Sequence, residues 1–389
     1  MLNLDLRDGR AAYWLASAIL FVFCVSFYTP ISSKASNNVF YIGLGLPALA
    51  WWLSRPRAAL GLFRVAPAFL AAYGALAAWL VIADPTFLRD TLYIAALFVC
   101  CAMLERHGSG VARAYTGFAL VSMALFAFAI LKWAQLAWVH HFWGRITLWG
   151  QGENPVYAGL LISSSLVFLW LFHVEPRLRD RSRPAYLVAL LGLVALGGLC
   201  AVVFQARSAL VGFAAFLVVL LIQRRLVVVG SLLAVVAAVA LWDSGVADAL
   251  LERGGSYRIE IWGDALRRLE SECSLLVGCG KDDYRFLGQF FHPHSAYVSI
   301  LYEAGAIGLA LFLAMALAFF VAAWRSRSRW MLVALVGWAG VATTTPGVIV
   351  SPRTLWVFFW IPTLMAVLES GRPALEAYYR TRDEISRRG

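Results

Sequence analysis

The sequence predicts an all-α protein that crosses a membrane many times, and three observations predict it. Hydrophobic residues fill 61% of the 389 positions, and charged residues only 14%. Mean hydropathy is +0.74, well beyond that of a soluble domain of this size. The apolar residues are also grouped, falling in about twelve runs close to the roughly 20 residues that span a hydrocarbon core.

The runs lie near 11–29, 37–53, 66–83, 90–104, 112–138, 155–173, 185–203, 208–222, 226–242, 296–320, 330–344 and 354–369. Each is expected to be a helix, because only a helix or a closed barrel satisfies its backbone in lipid. The fourth, eighth and eleventh are short. The first follows Arg7 and Arg10 without a small-residue cleavage site, so it is expected to be retained as a span. The organisation predicted is nine helices over 1–242, a polar loop over 243–295, and three helices with a tail over 296–389.

Basic residues set the orientation. With the N-terminus inside, 21 of the 33 Lys and Arg residues fall in inside segments, among them Arg177, Arg179, Arg181, Arg183, Arg224, Arg225, Arg325, Arg327 and Arg329. The short outside loops hold one each: Lys34, Arg89, Arg145, Arg207 and Arg353. Lys132 sits inside a span. Both termini are therefore expected in the cytoplasm and the long loop outside. The net charge of +11 follows from this topology. Nucleic-acid binding is not expected, because the basic residues are dispersed among spans.

The loop from Asp243 to Ser295 is the one long polar segment. It carries Arg258, Arg267, Arg268, Lys281 and Arg285 and ends in Phe291-His292-Pro293-His294-Ser295. Between Ser256 and Leu269 the residues Ile259, Trp262, Leu266 and Leu269 recur at three- and four-residue steps, which predicts an amphipathic helix lying on the membrane. Gly278 and Gly280 mark a turn. Cys273 and Cys279 share this loop, where an oxidising compartment would permit a bridge. Cys24, Cys100, Cys101 and Cys200 lie in apolar runs and read as small core residues.

Several side chains are candidates for chemistry, each with a plainer alternative. His292 and His294 stand at the mouth of a span. A histidine there suits general-base work on a sugar hydroxyl, or it simply caps the helix beginning near Ser295. Arg207 lies in the short Gln205-Ala206-Arg207-Ser208 connection. Its planar fork suits a phosphate, and Arg258 is the natural second clamp for a diphosphate. A snorkelling arginine and a solvated helix face are the alternatives. Arg145, ahead of Gly150-Gln151-Gly152-Glu153-Asn154-Pro155, and Arg353 are weaker candidates for anion contact. Glu303, inside a span, needs a partner, with Arg207 or Arg353 available to brace it, or else it transfers protons. His140 and His141 sit beside Trp138 and Trp143 in what reads as an aromatic belt.

No Asp-x-Asp motif, Walker loop, zinc-type histidine pair or Gly-x-Ser-x-Gly elbow occurs in the relevant segments. No metal and no cofactor are expected. For an enzyme of this composition, arginines would neutralise a leaving diphosphate.

These residues carry a resemblance. The chain resembles the O-antigen ligase and polymerase superfamily of bacterial inner-membrane proteins over roughly residues 145 to 310. Gln205-Ala206-Arg207-Ser208 resembles that family's Ser-Arg-Ser/Gly segment, and Arg258 with Trp262 its Arg-x-x-x-Trp. Gly278-Cys279-Gly280 resembles its Gly-x-Gly stretch. His292-Pro293-His294-Ser295-Ala296-Tyr297, with Glu303-Ala304-Gly305 and Gly308, resembles its histidine motif and the span after it. The family often has asparagine where Ser295 stands.

The resemblance implies a GT-C-like fold and transfer of a glycan, with inversion, at the periplasmic face of the inner membrane. The donor would be an undecaprenyl-diphosphate-linked O-antigen and the acceptor the lipid A–core oligosaccharide. It places the general base at His294, the diphosphate contacts at Arg207 and Arg258, and His292 in a supporting or substrate-contacting place. An O-antigen polymerase would use the same donor, but tends to have two sizeable outer loops where one is found here. A protein O-oligosaccharyltransferase would carry more sequence after its last spans. A lipid-linked sugar transporter would concentrate its charges near the membrane midplane, whereas here they gather at the outer edge.

Overall fold

The computed structural model describes residues 6–54, 62, 65–106, 109–141, 144–179, 182–228, 230, 257–282, 284–345 and 347–371. Among them the chain is helical, with no β-strand. The expected ninth run near 226–242, the start of the polar loop and the C-terminal tail lie almost wholly outside the described residues. The other eleven apolar runs all fall on helices.

In chain order these are α1 (Leu6–Ser26), α2 (Ser33–Phe40), α3 (Leu46–Ser54), α4 (Pro67–Ala83), α5 (Phe87–Arg106), α6 (Gly110–His140), α7 (Pro155–Leu169), α8 (Glu175–Leu178), α9 (Arg183–Phe204) and α10 (Arg207–Gln223). They continue with α11 (Arg258–Ser271), α12 (Ala296–Arg325) and α13 (Arg329–Gly340), and α14 (Trp356–Gly371). Wider π-turns link α2 to α3 at Tyr41–Gly45 and α7 to α8 at Trp170–Val174. Five helices are long and apolar enough to cross a membrane: Phe87–Glu105, Gly110–His140, Pro155–Leu178, Arg183–Phe204 and Ala296–Arg325. Five shorter apolar helices accompany them. The chain is a multi-pass membrane protein.

α7 runs through the centre, packed by α6, α9, α10 and α13, and is buried along almost its whole length. α14 is buried similarly, with Trp356 and Trp360 fully enclosed. Small residues let these central helices approach. A Cβ at Gly212 of α10 would come 2.4 Å from the carbonyl oxygen of Val336 on α13, and one at Gly337 would come 2.4 Å from that of Phe358. Leu53, Ile82, Leu131, Val188 and Leu317 are exposed on the outer helices, which suits a lipid-facing surface.

α12 is broken one turn before its midpoint. Gly305 has φ +67° and ψ −170°, outside the helical region. The backbone groups freed by the break are taken up by the polar loop. Cys279 N–H donates to Tyr302 O (2.8 Å) and Gly280 N–H to Glu303 O (2.9 Å). Leu275 O accepts from Ala306 N (2.8 Å) and Leu276 O from Ile307 N (3.4 Å). Trp79 Nε1 of α4 donates to Ala304 O (2.9 Å). A side chain at Gly305 would meet Leu276 O at 2.2 Å, and one at Gly278 would meet the α12 backbone at 2.6 Å. The Gly-x-Gly and Glu-Ala-Gly segments are thus two halves of one backbone junction. Cys273 and Cys279 are bonded (S–S 2.04 Å) and close the inserted loop.

The predicted loop helix exists as α11, and its two sides have different partners. Ile261, Ala265 and Leu269 are buried, whereas Ile259 is 74% and Leu266 42% exposed. The partners decide the face. Tyr284 and Tyr302 form a small second core with Ile261 and Ala265, and Tyr284 donates its hydroxyl to Ile261 O (3.1 Å).

Candidate active site

Three chain reversals bring the candidate residues to one end of the bundle. α9 ends at Gln205 in the left-handed region (φ +46°), buried Ala206 packs near α7, and Arg207 opens α10. Ser208 behind it is fully buried and accepts from Thr343 Oγ1 at 2.8 Å. Tyr257 is left-handed as well (φ +58°), and Arg258 opens α11. The third reversal is at His294 (φ +54°), one residue before the cap of α12. A non-glycine residue in this region is uncommon and clusters where a site needs a fixed side-chain direction.

The Arg-x-x-x-Trp spacing has a geometric reason. Trp262, one turn beyond Arg258, donates Nε1–H to the carbonyl of buried Pro293 (2.8 Å). That bond fixes the start of α11 against the histidine turn, within electrostatic reach of His294. His292 Nδ1 in turn accepts the backbone N–H of His294 (3.1 Å), and the two rings lie 4.0 Å apart. Phe290 meets the His294 ring edge-on at 5.7 Å. Accepting at Nδ1 places the His292 proton on Nε2.

Electrostatics join the rest. Burial, then the Arg258 charge, lowers the His294 pKa below the ordinary 6.5. Burial, then His294 and Arg353, press His292 down to about 3. Burial and then Arg207 lower the Arg258 pKa. Arg207, Arg258, His294, His292 and Arg353 therefore share one field, and the charge of Arg353 also reaches Tyr157 on α7. Near neutral pH both imidazoles are unprotonated, with arginine charge around them. Such a place can accept a proton at His294 and hold an anion beside it.

Two candidates fall elsewhere. Arg145 is exposed between α6 and the turn at Gly150–Glu153, and among the described residues it makes no ion pair or hydrogen bond. Glu303 pairs with neither Arg207 nor Arg353. The charges that act on it are Lys281 first, then Asp282, Asp84 and Asp90, and its carboxylate points toward Gly347. The reason is the α12 break, which turns Glu303 toward the inserted loop. Lys132 is exposed.

Sequence reasoning missed a brace. Lys281 Nζ pairs with Asp90 at 2.7 Å, and Asp90, only 4% exposed, also accepts from Ser351 Oγ (2.5 Å). Lys281 N–H bonds Asp84 (3.0 Å). This ties the polar loop and the Arg353 loop to α4 and α5. An acid at the opening of an apolar run was the available signal, because such a residue is costly without a partner. Gln151 adds a second tie, its Oε1 accepting the backbone N–H of Thr354 (3.1 Å).

No family model matches the chain. A curated protein named O-antigen ligase, from Pseudomonas aeruginosa, is 28% identical over 359 residues, which cover 85% of this chain and 84% of that one. The comparison supports an O-antigen ligase family assignment. The serine at 295, where the resembling family often has asparagine, has a structural account. Ser295 Oγ accepts Val298 N–H (3.4 Å) as the N-cap of α12, and asparagine and serine are comparably good caps.

Proposed function

We propose that the chain is an O-antigen ligase. It transfers a glycan from undecaprenyl diphosphate to a hydroxyl of the lipid A–core oligosaccharide, with inversion, at the periplasmic face of the inner membrane. The observation that carries this reading is that Arg258 lies within reach of both the Arg207 charge and His294 at a turn pinned by Trp262. The named relative, matched along most of both chains, supports the same class.

In this reading His294 removes the acceptor proton as that oxygen bonds the anomeric carbon. The bond from that carbon to the diphosphate oxygen breaks, and the electron pair leaves with the diphosphate. Arg207 and Arg258 bind the diphosphate and stabilise the charge that develops on it, the part a divalent cation plays in other enzymes. The depressed pKa of His294 keeps its lone pair available near neutral pH. His292 holds the His294 backbone through Nδ1, a positioning role. Arg353 extends the positive field toward Tyr157. Twelve spans, a GT-C-like arrangement and cytoplasmic termini belong to the same proposal.

The test is transfer by purified protein with undecaprenyl-diphosphate glycan and lipid A–core, in excess chelator, comparing wild type with His294→Ala. Glycan on lipid A–core from wild type alone is the expected result. Lengthening of the carrier-linked glycan instead would make the protein a polymerase. Neither product from folded wild type would sink the enzyme reading.

A further inference from the structure

The other end of α10 carries a second concentration of arginines. α10 has 17 residues, so its ends stand about 25 Å apart at 1.5 Å per residue, close to the thickness of a hydrocarbon core. At the end away from Arg207 a cavity of about 740 Å³ opens between α8, α9, α10, α12 and α13. Arg179, Arg183, Arg224, Arg225, Arg327 and Arg329 line it, with Glu175 as the one carboxylate among the described lining residues.

Glu175 is already satisfied. Arg224 donates two hydrogen bonds to it (2.6 and 2.9 Å), and the Tyr186 hydroxyl adds one (3.2 Å). Among the described residues none of the other five arginines pairs with a carboxylate. They come from three separate stretches of sequence, 179–183, 224–225 and 327–329. A bias of basic residues toward one membrane face accounts for their side of the bilayer. It does not account for their convergence on one cavity. Arg225 (φ +55°) and Arg327 (φ +52°) also occupy the left-handed caps that end α10 and α12, where glycine would be at ease.

We propose that this cavity binds the phosphate of an anionic membrane-lipid headgroup at the face opposite the candidate active site. Phosphate suits the arginine forks. The apolar part of the lining selects a lipid over a free anion. Trp324, 47% exposed, lines the cavity with buried Leu226 and Leu332, and an exposed tryptophan beside arginines is the pattern of a headgroup boundary. Arg329 is held beside the cavity, 5.5 Å from the Phe172 ring centre and donating to Leu171 O (3.5 Å).

The experiment is native mass spectrometry of the full chain in neutral detergent with equal amounts of phosphatidylglycerol and phosphatidylcholine of matched acyl chains. Wild type is expected to retain phosphatidylglycerol at least about tenfold better, and the triple variant Arg179→Gln/Arg183→Gln/Arg225→Gln to lose that preference. These side chains are exposed, and the Glu175–Arg224 pair is left intact. High salt should erase the preference of wild type, an arm that needs no variant. Equal retention of both lipids by wild type, or an undiminished preference in the triple variant, overturns the proposal. Displacement of phosphatidylglycerol by inorganic phosphate, at an ionic strength at which sodium chloride leaves it bound, would also overturn it, assigning the cavity to a soluble phosphate compound.

Discussion

The two ends of α10 use arginine in opposite ways. At the C-terminal end Arg224 is held by a buried carboxylate in two short hydrogen bonds, and the pair braces α10 against α8. At the N-terminal end the charge of Arg207 acts on Arg258, and Arg258 acts on His294. One arrangement spends positive charge on folding. The other sets positive charges within reach of each other, where the proposed reading puts an incoming anion. In the proposed reading the difference would separate a bracing arginine from a substrate-binding one.

The largest effect expected at the functional end is from His294→Ala, which should lower transfer by about 10²- to 10⁴-fold, the range for a lost general base. Retained transfer would remove His294 from the chemistry. Arg207→Lys and Arg258→Lys come next, each lowering kcat/KM by tenfold or more, because an ammonium cannot reproduce the bidentate fork. Arg224→Lys should leave kcat/KM close to wild type. Equal losses at both ends would break the comparison.

Stability should reverse that order. Arg224→Gln leaves Glu175 buried and uncompensated, an expected loss of about 3 kcal/mol, while Arg258→Gln removes a repulsion and should hold or raise the unfolding temperature. Thermal unfolding in detergent measures both. A comparable loss in Arg258→Gln would mean that Arg258 is a brace as well.

Much of this was legible in the sequence, for physical reasons that also mark where legibility stops. A span must be long and apolar, so the runs near 112–138 and 296–320 map directly onto α6 and α12. The break at Gly305 was not legible, because its compensating partners, Leu275 to Gly280, sit in another segment. The inner side of α11 was not legible for the same reason. Ile259 and Leu266 obey the helical period and stay exposed, while Tyr284 and Tyr302, from other segments, cover Ile261 and Ala265. His294, Arg207 and Arg258 stood out by residue type and motif. What holds them, the Trp262–Pro293 bond and the His292 acceptor, connects residues whose types alone do not predict a contact. Arg207 or Arg353 as a brace for Glu303 was one of two readings, and the charges that act on it, Lys281 and then Asp282, Asp84 and Asp90, come instead from segments distant in sequence.

The smallest expected effect concerns pH and tests whether the arginine field reaches the base at all. His294 must be unprotonated to accept a proton, so kcat/KM falls as pH drops through its pKa. That pKa is held below 6.5 by burial first and Arg258 second, so the plateau should extend below pH 6.5 in wild type. Arg258→Gln removes the second cause and leaves the first. The acid limb of the residual activity should therefore move to higher pH by less than the full depression. His292→Asn is the control. An amide oxygen can still accept the His294 N–H, and His292, with a pKa of about 3, is already uncharged across the plateau, so this limb should stay in place. A limb unmoved in Arg258→Gln would mean that burial alone sets His294. Arg258 would then act only on the anion, and the functional end would be two independent parts.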